Sequence, residues 1–357
     1  MATYHELQIP VKYMQLDAWW YKTNTCTNNF ACACIVDFAP DPSSFNHSGP
    51  GIPYPVGVGP WFNQILRSLA TKIGIEGWSL YHNYFCTSNE YGNTTHTTRE
   101  GVNSITTRST TYRFINDNYN VFAHVVPEQA EMFFTEVWGQ GVRQSAVGFE
   151  WDYQSTSYSN MPHYRNTVTA ASQYMAGMAA AANKLGKPIQ YCMSFPRHIL
   201  ESMKFPAVTN ARASPDFANS GDNLVEVGYT SLLYQAVGLA PSKDNFFTTG
   251  NLFARAHAIV AALSMGPVGP SDKVEWIANH SEFITATCNA GGQLLQPSTP
   301  ISTIDAKYSL DPAVAVPKGS HVWVSSSTID GLVPYTSFTV FSMFLTPKGY
   351  LLWIVIL

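Results

Sequence analysis

Short apolar runs alternate with amphipathic segments along most of the chain. In residues 60–73, apolar side chains recur at helical spacing, whereas residues 77–85 form a compact apolar run of strand length. The predicted strands are Lys12–Asp17, Gly77–Phe85, Tyr119–His124, Ala146–Asp152, Pro188–Met193, Ala207–Ala213, Asp244–Phe247 and Pro267–Gly269. The predicted helices are Pro60–Ile73, Pro127–Gln140, His163–Lys184, Arg197–Met203, Leu224–Val237 and His257–Ser264.

This alternation predicts an α/β fold, and eight predicted strands with six helices between them favour a (β/α)₈ TIM barrel over residues 10–290. A doubly wound sheet is the second possibility, but no Gly-x-Gly-x-x-Gly turn follows the first strand. Beyond Gly291, prolines interrupt short β-like runs. We therefore expect residues 291–357 to form a small C-terminal β module, truncated at its end.

The composition narrows the class of protein. Charged residues make up 12% of the 357 residues and the net charge is −4, so no basic surface for nucleic acid is expected. The apolar run Tyr350–Leu357 is too short to span a bilayer, which needs about 20 residues. Aromatic residues reach 13%. They are consistent both with a large core and with rings that stack on sugars.

The six cysteines leave disulfide pairing open, because an even number permits bridges without requiring them. Their spacing does not favour a zinc site. Three Asn-x-Ser/Thr sequons, at Asn46, Asn93 and Asn279, favour a secreted or lysosomal/vacuolar location. The N-terminus has no signal-peptide pattern. We therefore expect the sequence to be a fragment of a longer protein.

Candidate chemistry lies at the ends of the predicted strands, where barrel enzymes carry their active sites. The polar residues at or just after these ends are Asp17, His82, Asp152, Asp216, Asp244 and Asp272. Asp152 and Asp216 follow the fourth and sixth strands, which would let two carboxylates face each other across a barrel mouth. Such a pair is what a retaining glycosidase needs. Taken singly, each Asp is equally consistent with a helix cap or a turn.

Several motifs resemble one family. The segment Asn210–Phe217 resembles the Arg-x-Ser-x-Asp-Phe motif of the raffinose synthase and alkaline α-galactosidase group within glycoside hydrolase family 36. Gly266–Val274 is similar to its Gly-Gly-Pro-Val-Tyr-Val-Ser-Asp segment, and Gly292–Pro297 to the stretch that follows, with Asp305 near a later family Asp. Leu16–Trp20 resembles its first-strand Asp-Asp-Gly-Trp.

The resemblance implies Asp152 as the nucleophile and Asp216 as the acid/base. It implies that Arg212 orients the carboxylate pair, that Asp17 binds sugar hydroxyls, and that Trp20 or Trp151 forms a wall of the subsite. The family usually has Lys where this chain has Glu150, and often a second Asp where it has Ala18. Both differences concern sugar recognition. The predicted substrate-binding residues are Asp17, Trp20, Trp151, Glu150, Arg212, His82 and Asp272.

The sequence therefore predicts a retaining α-glycosidase that acts on α-linked galactosides or related oligosaccharides. The alternatives are a transglycosylase of the raffinose synthase type and a non-catalytic carbohydrate-binding barrel. The expected partner is an oligosaccharide or glycoside substrate. We expect no cofactor, no metal, no nucleic acid and no membrane span.

Overall fold

The structure is a computed structural model. It describes residues 6–25, 33–41, 66–68, 70–72, 74–97, 103–106, 112–142, 146–217, 222–251, 253–273, 275–279, 281–304, 321–328, 339–346 and 349–356. Asp305, Asn46, Cys26, Cys32 and the start of the predicted helix Pro60–Ile73 lie outside the described residues.

The chain divides into two compact units. The N-terminal unit is Lys12–Thr209, and the C-terminal unit combines Met1–Val11 with Asn210–Leu357. The division falls inside the predicted barrel. The predicted domains 10–290 and 291–357 stay a prediction.

Two sheets build the N-terminal unit. Its strands are β1 (Tyr13–Leu16), β2 (Tyr21–Thr25), β3 (Ala33–Pro40), β4 (Gly77–His82), β5 (Phe85–Cys86), β6 (Gly92–Thr97), β7 (Asn103–Thr106), β8 (Tyr112–Asn116), β9 (Phe122–Val125), β10 (Ala146–Trp151) and β11 (Ile189–Tyr191). The first sheet is parallel, in the order β1-β4-β10-β11. The second is mixed, in the order β2-β3-β5-β9-β8-β6-β7.

Helices connect the parallel strands. They are a 3₁₀ turn (Pro127–Gln129), α1 (Ala130–Val142), α2 (Gln154–Asn160), α3 (Pro162–Asn166), α4 (Ala170–Leu185) and α5 (Pro196–Ser202). All six residues of β4 are buried, as expected for a parallel strand covered on both faces. On the core side, the Trp138 ring of α1 stacks on Phe149 of β10, with centroids 4.1 Å apart. This contact fixes α1 against the sheet.

A glycine sets the close packing of α1 and α4. A Cβ atom on Gly177 would lie 2.7 Å from the Ala130 Cβ and 2.8 Å from the Glu131 backbone nitrogen. The predicted single helix His163–Lys184 is interrupted at Thr167–Thr169, where Thr167 is extended. These three residues are β-branched, which lowers their helix propensity.

The predicted third strand, Tyr119–His124, exists in part, but the prediction that it belongs to the parallel barrel sheet was wrong. Residues 122–125 form β9, which pairs antiparallel with β5 and β8 in the mixed sheet. Every residue of β9 is buried, so its apolar pattern looks the same as that of a parallel strand. The Asn/Thr-rich stretch after Thr87, which contains no predicted strand, forms β6 and β7.

The C-terminal unit also begins with parallel strands. Residues Asn210–Arg212 of the strand β12 (Val208–Arg212) pair parallel with β13 (Ala240–Ser242) within this unit. The helices are α6 (Asp222–Ala236), α7 (Ala254–Leu263), a 3₁₀ turn (Ile277–Asn279) and α8 (Ser281–Thr285). The predicted seventh strand, Asp244–Phe247, was therefore placed too far along the chain, because the strand ends at Ser242. Only a single parallel bridge, Phe246 with Pro270, occurs in that segment.

An antiparallel sheet ends the chain: β14 (Thr299–Thr303), β15 (His321–Ser326), β16 (Thr339–Thr346) and β17 (Gly349–Ile356). It packs on α6. A Cβ atom on Gly228 would lie 3.0 Å from Trp323 Nε1 and 3.3 Å from Thr303 Cγ2.

The α/β class is confirmed by this alternation of parallel strands and helices. Among the described residues the parallel strands number six, namely β1, β4 and β10 to β13. The complete eight-stranded barrel and the separate C-terminal module stay predictions. Of the helices that the structure describes, none combines the length and apolarity that a bilayer crossing requires.

A disulfide joins the mixed sheet. Cys34 of β3 and Cys86 of β5 are bonded, 52 residues apart in sequence. Cys192 and Cys288 are free thiols. We expect Cys34→Ala with Cys86→Ala to lower the free energy of unfolding by about 2–4 kcal/mol, because the unfolded chain loses a long closed loop. Urea denaturation of both proteins would measure this. A Cys192→Ala control should change it much less, and an unaltered midpoint in the double variant would contradict the assignment.

Two buried histidines predict how stability depends on pH. Burial lowers the pKa of His82 to about 4, and burial with the nearby His82 lowers the pKa of His124 to about 3. Both values lie below the ordinary 6.5, so the unfolded chain binds more protons at mildly acidic pH. The contribution of the neutral histidines to the free energy of unfolding is therefore complete above about pH 6.5. It falls as the pH drops towards about 4, by up to about 1.4 kcal/mol per pH unit for each histidine.

The measurement is urea unfolding at about pH 7 and about pH 5, for the wild type and His124→Phe. The variant should lose less stability than the wild type over this interval, because one protonation is gone. Equal losses in the two proteins would refute the role of His124.

Candidate functional site

Asp152 directly follows β10, at the carboxyl end of the parallel sheet of the N-terminal unit. Its backbone N–H donates to the His82 carbonyl at 3.0 Å, so it lies level with the end of β4. Tyr153 then adopts a left-handed backbone, with φ of 56°, and the chain turns at once into α2. The Asp152 side chain is 7% exposed. Parallel pairing and this sharp turn hold a largely buried carboxylate at the sheet end.

Two donors orient the Asp152 carboxylate. The Tyr81 hydroxyl donates to Oδ2 at 2.8 Å, and the Tyr153 backbone N–H donates to Oδ1 at 2.6 Å. Burial, and then the charge of Asp152, raise the pKa of Tyr81 far above its ordinary value. Tyr81 therefore stays a proton donor, and the carboxylate has a defined direction.

Two further predicted acids lie near Asp152. Glu150 is two residues earlier on β10, is buried, and accepts a hydrogen bond from the Gln15 amide of β1. Burial, followed by the charges of Asp17 and Asp152 and then those of Tyr153 and Glu150, raises the pKa of Tyr21 well above its ordinary value. The charges of all three carboxylates therefore act on the buried Tyr21 phenol.

The Tyr21 hydroxyl is buried and has no hydrogen-bond partner among the described residues. Tyr21 and Tyr81 had no role in the sequence analysis. The signal available for Tyr81 was the strand period of two, which puts it on the same face of β4 as Ser79.

The two tryptophans predicted to contact the sugar, Trp20 and Trp151, lie buried in the core beneath the site. Trp20 and Trp151 are 1% and 3% exposed. The Trp20 indole N–H donates to the Tyr81 carbonyl at 3.4 Å, and His82 stacks on Trp151 with centroids 6.5 Å apart. In this segment Trp19 is the tryptophan that faces solvent, with 53% of its surface exposed.

In the C-terminal unit, one arginine holds two carboxylates. Arg212 ends β12, and its guanidinium lies 2.7 Å from Asp216 Oδ1 and 3.5 Å from Asp244 Oδ1. The Arg212 side chain is 10% exposed, whereas that of Asp216 is 73% exposed. Asp216 thus lies at the surface of its unit and is held by the largely buried Arg212 side chain.

Asp244 joins the loop that carries Asp216 to the end of β13. Its Oδ2 accepts the Phe217 backbone N–H at 2.6 Å, and its own N–H donates to Ser214 Oγ at 2.9 Å. The sequence marked Asp244 as a strand-end acid but assigned it no role. The missing information was the parallel pairing of β12 with β13, which brings their following loops together.

Lys243 packs under the same loop. Its ammonium donates to the carbonyls of Asp244 and Asn245 at 2.9 and 3.1 Å, and lies 5.3 Å from the Phe217 ring centroid. Burial, with a smaller contribution from Arg212, lowers the pKa of Lys243 to about 8, against the opposing charge of Asp244. Sequence reasoning missed this lysine, because nothing in its local pattern indicates burial.

Asp272 holds a different turn. It is buried, and its carboxylate accepts hydrogen bonds from the Thr248 backbone and hydroxyl and from the Thr249 backbone, at 2.9–3.1 Å. These bonds organise the segment between β13 and α7. Its predicted contact with a sugar stays a prediction.

The predicted site residues thus form two groups. In the N-terminal unit, Asp17, Glu150 and Asp152 all act electrostatically on Tyr21, and in the C-terminal unit Arg212 contacts Asp216. Asp152 and Asp216 belong to different units. Their predicted common pocket stays a prediction.

No protein-family model matches the sequence, and no curated protein matches it either. Membership of glycoside hydrolase family 36 therefore stays a prediction. Among solved structures, three of the α-N-acetylgalactosaminidase NagBb from Bifidobacterium bifidum are similar to this chain at 10–11% identity. The quadruple mutant has a TM-score of 0.43 and covers 99% of this chain and 59% of its own.

The Gal-NHAc-DNJ complex has a TM-score of 0.42, with 99% of this chain and 51% of its own chain covered. The GalNAc complex has a TM-score of 0.42, with 99% and 59% covered. The chain therefore spans between half and three fifths of the length of these structures.

The Tyr81 hydrogen bond to Asp152 predicts a stability difference between two neighbouring tyrosines. We expect Tyr81→Phe to lower the free energy of unfolding by about 1–3 kcal/mol, because a buried carboxylate loses a donor. Tyr21→Phe is the matched control, since its hydroxyl is equally buried but unpaired within the described residues. Urea denaturation near neutral pH measures both. A Tyr21 variant that is the less stable of the two would contradict the geometry.

Proposed function

We propose that this protein is a retaining α-glycosidase, with Asp152 as the nucleophile and Asp216 as the acid/base. The observation that carries the proposal is the Asp152 carboxylate, buried at the carboxyl end of a parallel strand and oriented by Tyr81 at 2.8 Å. Barrel-type glycosidases carry their reactive carboxylates at such ends. The resemblance of Arg212–Phe217 to the acid/base motif adds the second group.

The Asp152 surroundings suit a nucleophile. In the first step, a carboxylate oxygen forms a bond to the anomeric carbon while the bond from that carbon to the leaving oxygen breaks. Tyr81 and the Tyr153 N–H hold the carboxylate in one orientation, which lowers the entropy lost on the way to the transition state. Glu150 and Asp17 add acceptors for sugar hydroxyls near Tyr21.

Asp216 supplies the proton. Its carboxyl protonates the leaving oxygen in the first step and, as a carboxylate, removes a proton from water in the second, which releases the sugar from Asp152. Its 73% exposure leaves it accessible to a leaving group, and Arg212 fixes its direction. Net retention of anomeric configuration follows from these two displacements.

Glu150 distinguishes the substrate from that of the resembled family. A carboxylate accepts hydrogen bonds, whereas the lysine usually found there donates them. We therefore propose a sugar that presents hydroxyl donors to Glu150, galactose or a related hexose. Transfer to a second sugar, as in a raffinose synthase, uses the same aspartates and differs only in the acceptor.

The second candidate function is a non-catalytic carbohydrate-binding protein. It is favoured by one observation, the additional buried carboxylate of Glu150 beside Asp152. An additional buried acceptor can bind a sugar hydroxyl without any covalent step.

The test uses aryl α-galactoside, α-N-acetylgalactosaminide and α-glucoside with the wild type, Asp152→Ala and Asp216→Ala. We expect turnover by the wild type, loss of about three orders of magnitude or more for either variant, and an α-anomer as first product by NMR. Glu128→Gln, an exposed acid at the start of the 3₁₀ turn before α1, is the control.

Three results would count against the proposal. A wild type that is inert on every glycoside yet binds sugars supports the second candidate. A β-anomer as first product excludes Asp152 as a covalent nucleophile. A high ratio of transfer to hydrolysis with added acceptor sugar identifies a transglycosylase.

A further inference from the structure

One residue outside the resembled motif contacts three of its members. Asp244 meets Arg212 through Oδ1, Ser214 through its backbone N–H, and Phe217 through Oδ2, at 3.5, 2.9 and 2.6 Å. Asp216 lies between Ser214 and Phe217 in sequence. Its backbone is therefore held on both sides by a single residue.

The turn that carries Asp244 is itself fixed. Lys243 is 4% exposed, and its ammonium bonds two carbonyls of its own turn while it lies over the Phe217 and Phe246 rings. Ser214 Oγ also donates to the Pro215 carbonyl at 2.9 Å. The loop after β12 and the turn after β13 are thus joined by hydrogen bonds into one body.

The charges in this body are unequally shared. Asp216 and Asp244 both contact the Arg212 guanidinium, Asp216 at 2.7 Å and Asp244 at 3.5 Å. Two further titratable groups of the described residues lie near the loop: Lys243 and, from α7, His257, whose ring lies 5.3 Å from that of Phe217. The Asp244 carboxylate therefore offsets part of the positive charge that Arg212 presents to Asp216. Without Asp244, the guanidinium would act on Asp216 alone.

We propose that Asp244 is the positioning residue of the acid/base, since it holds the Asp216 loop in place and offsets the charge of Arg212. This inference rests on the proposed function and deepens it. It predicts that Asp244 acts on protonation of the leaving group and leaves sugar recognition unchanged.

The experiment compares pH–rate profiles of the wild type, Asp244→Asn, Asp244→Glu and Ser214→Ala. In Asp244→Asn we expect the alkaline limb of kcat to move to lower pH by about one pH unit, with KM unchanged, because Arg212 then acts on Asp216 alone. Asp244→Glu keeps the charge and should restore the limb. Ser214→Ala removes an acceptor but no charge, so kcat should fall about 3- to 10-fold with the limb in place.

Leaving groups give a second readout. A dinitrophenolate leaves without a proton, whereas a sugar alcohol needs one. In Asp244→Asn and Ser214→Ala, kcat/KM should therefore fall at least about 10-fold more for an α-linked disaccharide than for the dinitrophenyl glycoside. A purely structural defect would slow both substrates equally. The control is Glu226→Gln, an exposed acid on α6, which should match the wild type.

The outcomes separate the two proposals. If the wild type is inactive, or if Asp216→Ala keeps full activity, both proposals fall. If Asp216 is essential but Asp244→Asn keeps the wild-type alkaline limb and both variants keep the wild-type leaving-group ratio, only the role of Asp244 is overturned. Should Asp244→Asn fail to fold, the leaving-group ratio of Ser214→Ala decides, and an unchanged ratio overturns the inference.

Discussion

Parallel pairing of β4 and β10 is the constraint on which the N-terminal unit depends. Parallel strands end at one edge of a sheet, so the residues that follow them meet there. Asp152 donates its N–H to the carbonyl of His82, which fixes the level of the two ends. The position of Asp152 is therefore set by the end of the strand and not by a loop.

Burial of carboxylates imposes the next requirement. A buried charge is tolerated only where donors or cations replace water. In the N-terminal unit the donors are the Tyr81 hydroxyl, the Tyr153 N–H and the Gln15 amide. In the C-terminal unit the buried Asp272 has Thr248 and Thr249 as donors, and the half-buried Asp244 has Arg212 and the Phe217 N–H. The same contacts that stabilise the charges also aim them, which is why stability and chemistry share these residues.

The α/β class was predictable from the sequence, because strand-length apolar runs and helical periodicity are local signals. The limits are equally physical. The predicted strand ending at His124 contains the short apolar run Val121–Ala123, and such a run does not reveal whether its neighbours are parallel or antiparallel. The three β-branched residues Thr167–Thr169 are a local signal for a helix break. The strong helical pattern on both sides nevertheless favoured a single helix.

By itself, the sequence determined that acids follow the strands, that Arg212 and Ser214 precede Asp216, and that a glutamate stands two residues before Asp152. Only the tertiary structure decided which groups touch them. Tyr81 reaches Asp152 across 71 residues of chain, and Asp244 reaches Phe217 across 27. Such contacts depend on strand register and loop geometry. These are set by packing of the whole sheet and leave no trace in the local order of residues.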